Sequence, residues 1–80
     1  MKLEELYLSE TTISDADLLC LGGLHNLRRL YLDKTKITDA GIPSLSRLHS
    51  LRYLEISDTG ITEAGAERLA EALPDTEIFY

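Results

Sequence analysis

The amino-acid sequence predicts an α/β fold: a right-handed β-α solenoid with a short parallel sheet on its concave face and helices on its convex face. Three observations support this prediction. The chain repeats itself every 24 residues, the first part of each copy alternates apolar with polar residues, and the second part spaces its apolar residues by three. A fixed period of this size is typical of solenoids, in which each copy forms one coil.

The repeat accounts for nearly the whole chain and contains no insertion. We expect complete copies at residues 3–26, 27–50 and 51–74, and a half-copy at 75–80 that keeps the same phase. A strand and helix this short cannot bury their apolar faces alone, so successive coils must stack on one another. The chain, residues 1–80, is therefore predicted to be a single domain.

Each copy opens on a short strand with one buried face. The predicted inward positions are Leu6, Leu8, Leu30, Leu32, Leu54 and Ile56. Equivalent strands are expected to lie side by side and parallel, about 4.8 Å apart, and the crossover between them is expected to be right-handed. In the half-copy, Ile78 and Tyr80 occupy the same two positions, so the ring of Tyr80 is predicted to turn inward.

The second half of each copy predicts a helix or a tighter 3₁₀ turn. Its apolar residues recur every three positions, as at Leu18, Leu21 and Leu24 of the first copy, and so form one stripe facing the strand. An acidic residue follows each predicted helix start and suits the positive end of the helix dipole. The predicted N-caps are Ser14, Thr38 and Thr62. Pro43 removes a backbone donor early in the second helix.

The second copy reads L-x-x-L-x-L-x-x-T-x-I-T-D-A-G-I from Leu27, and this pattern resembles the leucine-rich-repeat family over essentially the whole chain. The I-T-D-A-G stretch is similar to the bacterial and cysteine-containing repeat types, and more distantly to the ribonuclease-inhibitor type. The family commonly has asparagine at the turn after the strand. Here Thr11, Thr35 and Thr59 stand there, and we expect their hydroxyls to bond the loop backbone.

The resemblance implies that a partner is met on the concave strand face, which makes the outward residues of the strands the candidate site. We predict that this site consists of Glu5, Tyr7, Arg29, Tyr31, Asp33, Tyr53, Glu55 and Phe79. Tyrosines with an arginine among them are typical of interface centres. Aromatic neighbours on adjacent strands can also merely stabilise a sheet. The first hypothesis is a non-catalytic protein–protein interaction module.

The second hypothesis is a structural or self-assembling unit, because the first coil lacks a covering cap. Its apolar residues are expected to have neighbours on one side only; they are Leu3, Leu6, Leu8, Ile13 and Leu18. The chain is then a homo-oligomer through its N-terminal end, the C-terminal part of a longer repeat protein, or a marginal monomer. The other end has Leu73 and Tyr80 to fold over the last coil.

Charge and composition argue against several classes of partner. The formal net charge of −6 disfavours general nucleic-acid binding, which needs a basic stripe, and docking on anionic membranes. No apolar run is long enough to cross a membrane, and acidic residues interrupt the N-terminal segment where a signal peptide would be apolar. A single cysteine, Cys20, suits a reducing compartment. A cytoplasmic location is the default expectation.

Catalytic and cofactor sites are not predicted. His25 and His49 share one repeat position, but the next copy has Leu73 there, so no third metal ligand is aligned with them. Cys20 lies at a solvent-facing helix position, and no lysine, arginine or histidine stands near it in the local helix, so a reactive thiol is not predicted. Catalysis remains open only as an activity that uses Cys20 or the two histidines.

Overall fold

The computed structural model of the chain describes residues 3–80, so residues 1–2 of the predicted domain lie outside the described residues. One strand opens each coil, and the strands are β1 (Glu5–Tyr7), β2 (Arg29–Tyr31), β3 (Tyr53–Glu55) and β4 (Glu77–Phe79). Helical segments connect them in the order of a 3₁₀ helix (Asp15–Gly23), a second 3₁₀ helix (Asp39–Gly41) that leads into α1 (Ile42–Leu45), and α2 (Glu63–Ala72).

The four strands form one open parallel sheet in chain order, β1-β2-β3-β4. The register pairs equivalent residues of successive coils, as in the series Leu6, Leu30, Leu54 and Ile78. Paired residues are thus 24 positions apart, the same separation as between Ser9 and Asp33, whose side chains are hydrogen-bonded. The parallel sheet with helical connections confirms the predicted α/β solenoid. The register also places every outward residue of one strand beside its equivalent on the next.

The helical segments become more regular along the chain, from a 3₁₀ helix in the first coil to a full α-helix in the third. Pro43 lies in the first turn of α1, where a backbone N–H has no partner within the helix, so its missing donor costs little. The Thr38 and Thr62 hydroxyls accept from backbone N–H groups of Ala40 (3.2 Å) and Gly65 (3.1 Å), which confirms both as N-caps.

The first helix starts differently from the other two, because the backbone N–H of Ser14 donates to the Asp17 carboxylate at 2.9 Å.

The predicted threonine bonds are present after three strands. Thr11, Thr35 and Thr59 each donate to the carbonyl oxygen three residues earlier, at 2.7 Å. The residue just before each of these threonines has a positive φ, between 55° and 58°. A left-handed backbone at a non-glycine residue is uncommon, and the threonine bond stabilises this repeated turn.

Branched aliphatic side chains fill the core between the sheet and the helices. The fully buried large residues are Leu18, Leu27, Leu30, Leu32, Ile37, Leu45, Leu51, Leu54, Ile56 and Leu69. Most of them belong to the second and third coils, which have a neighbouring coil on both sides. Leu73 is also buried, as expected for a residue that covers the last complete coil.

The first coil is open on one side, as predicted, with one exception. Leu6, Leu8 and Ile13 are only partly buried, and Leu3 is 37% exposed. The prediction was wrong for Leu18, which is 2% exposed. Its 3₁₀ helix lies against the helical segments of the next coil, and its side chain packs against that coil, because a Cβ added at Gly41 would lie 2.7 Å from Leu18 Cδ1.

The prediction that Tyr80 turns inward was also wrong, because its side chain is 65% exposed. The equivalent residues Leu32 and Ile56 are buried because a further coil lies beside each of them. Within residues 3–80 no coil follows the half-copy, so an inward ring at position 80 would be covered by a neighbouring coil on one side only.

Candidate functional site

The outward side chains of the four strands form one surface, which we call the strand face. It comprises the eight residues singled out from the sequence together with Glu77, and they are Glu5, Tyr7, Arg29, Tyr31, Asp33, Tyr53, Glu55, Glu77 and Phe79. Strand pairing places them in two main rows, one running from Glu5 to Glu77 and the other from Tyr7 to Phe79. Strand pairing therefore brings seven of the eight predicted residues onto one side of the sheet, and the eighth, Asp33, follows the end of β2 by two residues.

Four aromatic rings cross the strand face as a continuous stack, which we call the aromatic stripe: Tyr7, Tyr31, Tyr53 and Phe79. Successive ring centroids are 4.5, 5.2 and 4.7 Å apart. The first pair is nearly parallel, at 6°, and the other two are tilted by 41° and 31°. These distances lie at the close end of the range favoured by aromatic pairs, so each ring restricts the motion of the next.

Tyr53 joins the stripe from the other row. In the row of Tyr7 and Tyr31 the third strand has Glu55, not an aromatic residue, and the ring of Tyr53 fills the resulting gap between Tyr31 and Phe79. Its hydroxyl donates to Glu55 Oε2 at 3.2 Å, and the Ser57 hydroxyl donates to Glu55 Oε1 at 2.7 Å. Both oxygens of this carboxylate are thereby oriented at the edge of the stripe.

Glu5 and Arg29 form an exposed ion pair beside the first two rings, with Nε of Arg29 3.7 Å from Oε2 of Glu5. The Tyr7 hydroxyl donates to the other carboxylate oxygen, Oε1, at 3.0 Å. This hydrogen bond to Glu5 raises the pKa of Tyr7 above its usual value. Burial, followed by the nearby charge of Glu55, raises the pKa of Tyr53 in the same direction.

The residues considered for catalysis are scattered on the surface. Cys20, His25 and His49 are all exposed, and among residues 3–80 no three histidine, cysteine, aspartate or glutamate side chains come together as a metal site. The described part of the chain also contains no pocket, and none of its helices is long and apolar enough to cross a membrane. The strand face is therefore the candidate functional site.

Sequence reasoning did not anticipate one group of polar contacts, which lies where the helices begin. The carboxylates of Asp15 and Asp39 accept hydrogen bonds from Thr38 and Thr62 of the following coil. A signal was present in the sequence, because the same threonine–aspartate pair recurs at 24-residue spacing. These contacts join neighbouring coils and lie outside the strand face.

Comparison with known families gives two matches. The family model described as "Leucine Rich repeats (2 copies)" matches residues 2–44, which is more than half of the chain. A second model, described as "Leucine Rich repeat", matches residues 47–70. A search of the curated proteins gave no match.

Proposed function

The chain belongs to the leucine-rich repeat proteins, and from that premise we propose that it is a non-catalytic module that binds a partner protein through its strand face. Leucine-rich repeats generally mediate protein–protein interaction, and stacked coils present an extended surface suited to that role. The observation that supports this site above others is the unbroken stack of four aromatic rings across the sheet.

The stripe has the exposure and the rigidity that an interface centre needs. Tyr7 is 62% exposed and Phe79 is 42% exposed, and an aromatic side chain can bury about 150–250 Å² on binding. The rings are already ordered by one another and by the hydrogen bonds from Tyr7 to Glu5 and from Tyr53 to Glu55. A partner would therefore lose little affinity to the entropy cost of ordering these side chains.

A selection from a random displayed-peptide library tests this proposal. Peptides selected on the wild-type chain should bind the double variant Tyr31→Ala/Tyr53→Ala at least about tenfold more weakly, a loss of about 1.4 kcal/mol. Tyr80→Ala is the matched control, because Tyr80 is exposed but is not part of the stack. Circular dichroism must show that both variants are folded.

Selected peptides that bind the double variant as well as the wild type would reject the strand face as the binding site. Loss of binding to Tyr80→Ala together with the double variant would also reject it, because it would show that any exposed tyrosine matters equally.

The open first coil supports a second candidate function, self-association through the N-terminal end. Leu6 and Leu8 are partly buried, whereas Leu30 and Leu32 at the same positions of the next coil are 0% exposed. β1 is also an edge of the open sheet, and an edge strand can pair with another chain. In a longer repeat protein the same apolar surface would instead meet a preceding coil.

Light scattering over a range of concentrations tests this candidate. A molar mass that rises toward that of two chains supports it, and Leu3→Lys should return the mass to one chain because it places a charge on the open coil. Tyr80→Lys at the opposite end is the control and should leave the association intact. A mass of one chain at every concentration rejects self-association.

A further inference from the structure

The strand face has an excess of negative charge around the aromatic stripe. Four carboxylates, those of Glu5, Asp33, Glu55 and Glu77, share this surface with a single guanidinium, that of Arg29. Arg29 pairs with Glu5 at 3.7 Å, and among residues 3–80 this is the only ion pair within 4.0 Å. Among residues 3–80 the other three carboxylates therefore have no cationic nitrogen within 4.0 Å.

Two of these three carboxylates are held in place by neutral donors. Glu55 accepts from the hydroxyls of Tyr53 and Ser57, and Asp33 Oδ1 accepts from the Ser9 hydroxyl at 2.5 Å. A carboxylate has about four lone-pair positions, so each keeps acceptor capacity for an incoming donor.

On the basis of the proposed function, we propose that the partner presents an extended basic segment, with arginine or lysine heads on Glu55 and Glu77 and their aliphatic stems on the aromatic stripe. Arginine and lysine suit such a surface because an apolar stem and a cationic head contact different groups. The face of the Tyr7 ring that points away from Tyr31 can also accept a cation. An acidic segment would be repelled by a chain of net charge −6.

The width of the sheet limits how many residues of the basic segment can contact the strand face. Four parallel strands at about 4.8 Å spacing place β1 and β4 about 14 Å apart. An extended peptide advances about 3.3 Å per residue, so about four or five residues cross the stripe. Alternate side chains of such a peptide point to the same side, which lets two basic residues contact the strand face together.

Three fluorescein-labelled synthetic peptides test the inference. In the first, arginine alternates with threonine; in the second, citrulline replaces arginine and removes the charge at nearly constant shape; in the third, glutamate replaces it. The wild-type chain should bind the arginine peptide about five- to tenfold more tightly than the citrulline peptide, and the glutamate peptide most weakly. This preference should shrink when KCl is raised from about 0.05 M to about 0.3 M, because exposed charges are screened.

A matched pair of charge variants identifies the groups responsible. Glu55→Gln/Glu77→Gln should bind the arginine and citrulline peptides equally. Glu67→Gln/Glu71→Gln changes the net charge by the same amount at exposed positions of α2. This variant should still bind the arginine peptide more tightly than the citrulline peptide. A preference lost equally in both double variants would mean that only overall charge matters, and would overturn the assignment to the strand face.

The remaining outcomes separate this inference from the proposed function. Equal binding of the arginine and citrulline peptides to the wild type, with both lost in Tyr31→Ala/Tyr53→Ala, overturns the basic partner and leaves the strand face as the binding site. If Tyr31→Ala/Tyr53→Ala binds the arginine peptide as tightly as the wild type does, both the basic partner and the strand face as the binding site are contradicted. If none of the three peptides binds the wild type, the basic segment is rejected, and the library selection alone decides the proposed function.

Discussion

The carboxylate of Asp39 joins its own coil to Thr62 of the next coil through two hydrogen bonds. Its Oδ1 accepts from the Thr62 backbone N–H at 2.9 Å, and its Oδ2 accepts from the Thr62 hydroxyl at 2.7 Å. Asp15 makes the same pair of bonds to Thr38, at 2.8 and 2.6 Å. The threonine that caps one helix is thus also a donor to the coil before it.

These contacts explain the glycines of the Asp39-Ala40-Gly41 and Glu63-Ala64-Gly65 sequences. A Cβ added at Gly65 would overlap Asp39 Oδ1, and one added at Gly41 would lie 2.7 Å from Asp15 Oδ1 and 2.7 Å from Leu18 Cδ1. The first copy has Asp17 at the equivalent position, and within residues 3–80 no earlier coil supplies an aspartate that would contact it. There the Asp17 side chain accepts from the Ser14 backbone instead.

Asp39→Asn should reduce the dependence of stability on acidic pH. The Thr62 hydroxyl, and then its backbone N–H, lower the pKa of Asp39 below its ordinary value of 3.8. A lowered folded-state pKa contributes stability that is present above the unfolded-state pKa and is lost as pH falls through the folded-state pKa. Urea unfolding between about pH 6 and about pH 2 should therefore show a smaller loss of unfolding free energy for Asp39→Asn than for the wild type. Equal losses would show that the contact between Asp39 and Thr62 does not depend on ionisation of the Asp39 carboxylate.

Gly65→Ala should destabilise the chain by about 1–3 kcal/mol, because the new methyl group forces the Asp39 carboxylate away from Thr62. Gly22→Ala is the matched control: nothing lies within 4 Å of a Cβ added there, and alanine reduces the entropy of the unfolded chain, so we expect a gain of up to about 1 kcal/mol. Thermal and urea unfolding measure both. A neutral Gly65→Ala would mean that the coils can separate at this point without cost.

Leu54→Ala should cost more than Leu6→Ala, although the two leucines occupy the same repeat position. Leu54 is fully buried between two coils and Leu6 is only partly buried. We expect the free energy of unfolding to fall by about 2–5 kcal/mol for Leu54→Ala. For Leu6→Ala we expect about half of that, because folding buries less apolar surface at Leu6. Similar losses in urea unfolding would indicate that another chain covers the first coil in solution, which would favour self-association.

Glu5→Gln should lower the pKa of Tyr7 toward its ordinary value of 10.0, because the hydrogen bond to the Glu5 carboxylate is the largest cause of its rise. Ultraviolet titration of the tyrosinate band measures this, and Glu67→Gln on α2 should leave the curve unchanged. A pKa raised by folding contributes stability that is present below the unfolded-state value and is lost as pH rises through the folded-state value. The wild type should therefore lose more stability than Glu5→Gln above about pH 10. An unchanged titration curve in Glu5→Gln would contradict the hydrogen bond.

Register and most of the core followed from the 24-residue period, because stacked coils bury equivalent positions in the same way. Leu30 and Leu54 were predicted inward and are fully buried. The same reasoning failed for Tyr80, which is exposed, and for Leu18, which is buried. A prediction from the repeat alone treats all the apolar positions of an end coil as equally open. Burial in an end coil depends instead on whether each side chain points toward the rest of the stack or away from it.

The order of residues along the chain was sufficient to determine the solenoid, its parallel pairing and the row to which each outward side chain belongs, because these depend on spacing alone. Only the tertiary structure decided that Tyr53 crosses from its own row to complete the aromatic stripe, and that Asp39 reaches forward to Thr62. Both depend on the rotation of a side chain toward a residue of another coil. That rotation is selected by the packing and hydrogen bonding available once the coils have stacked.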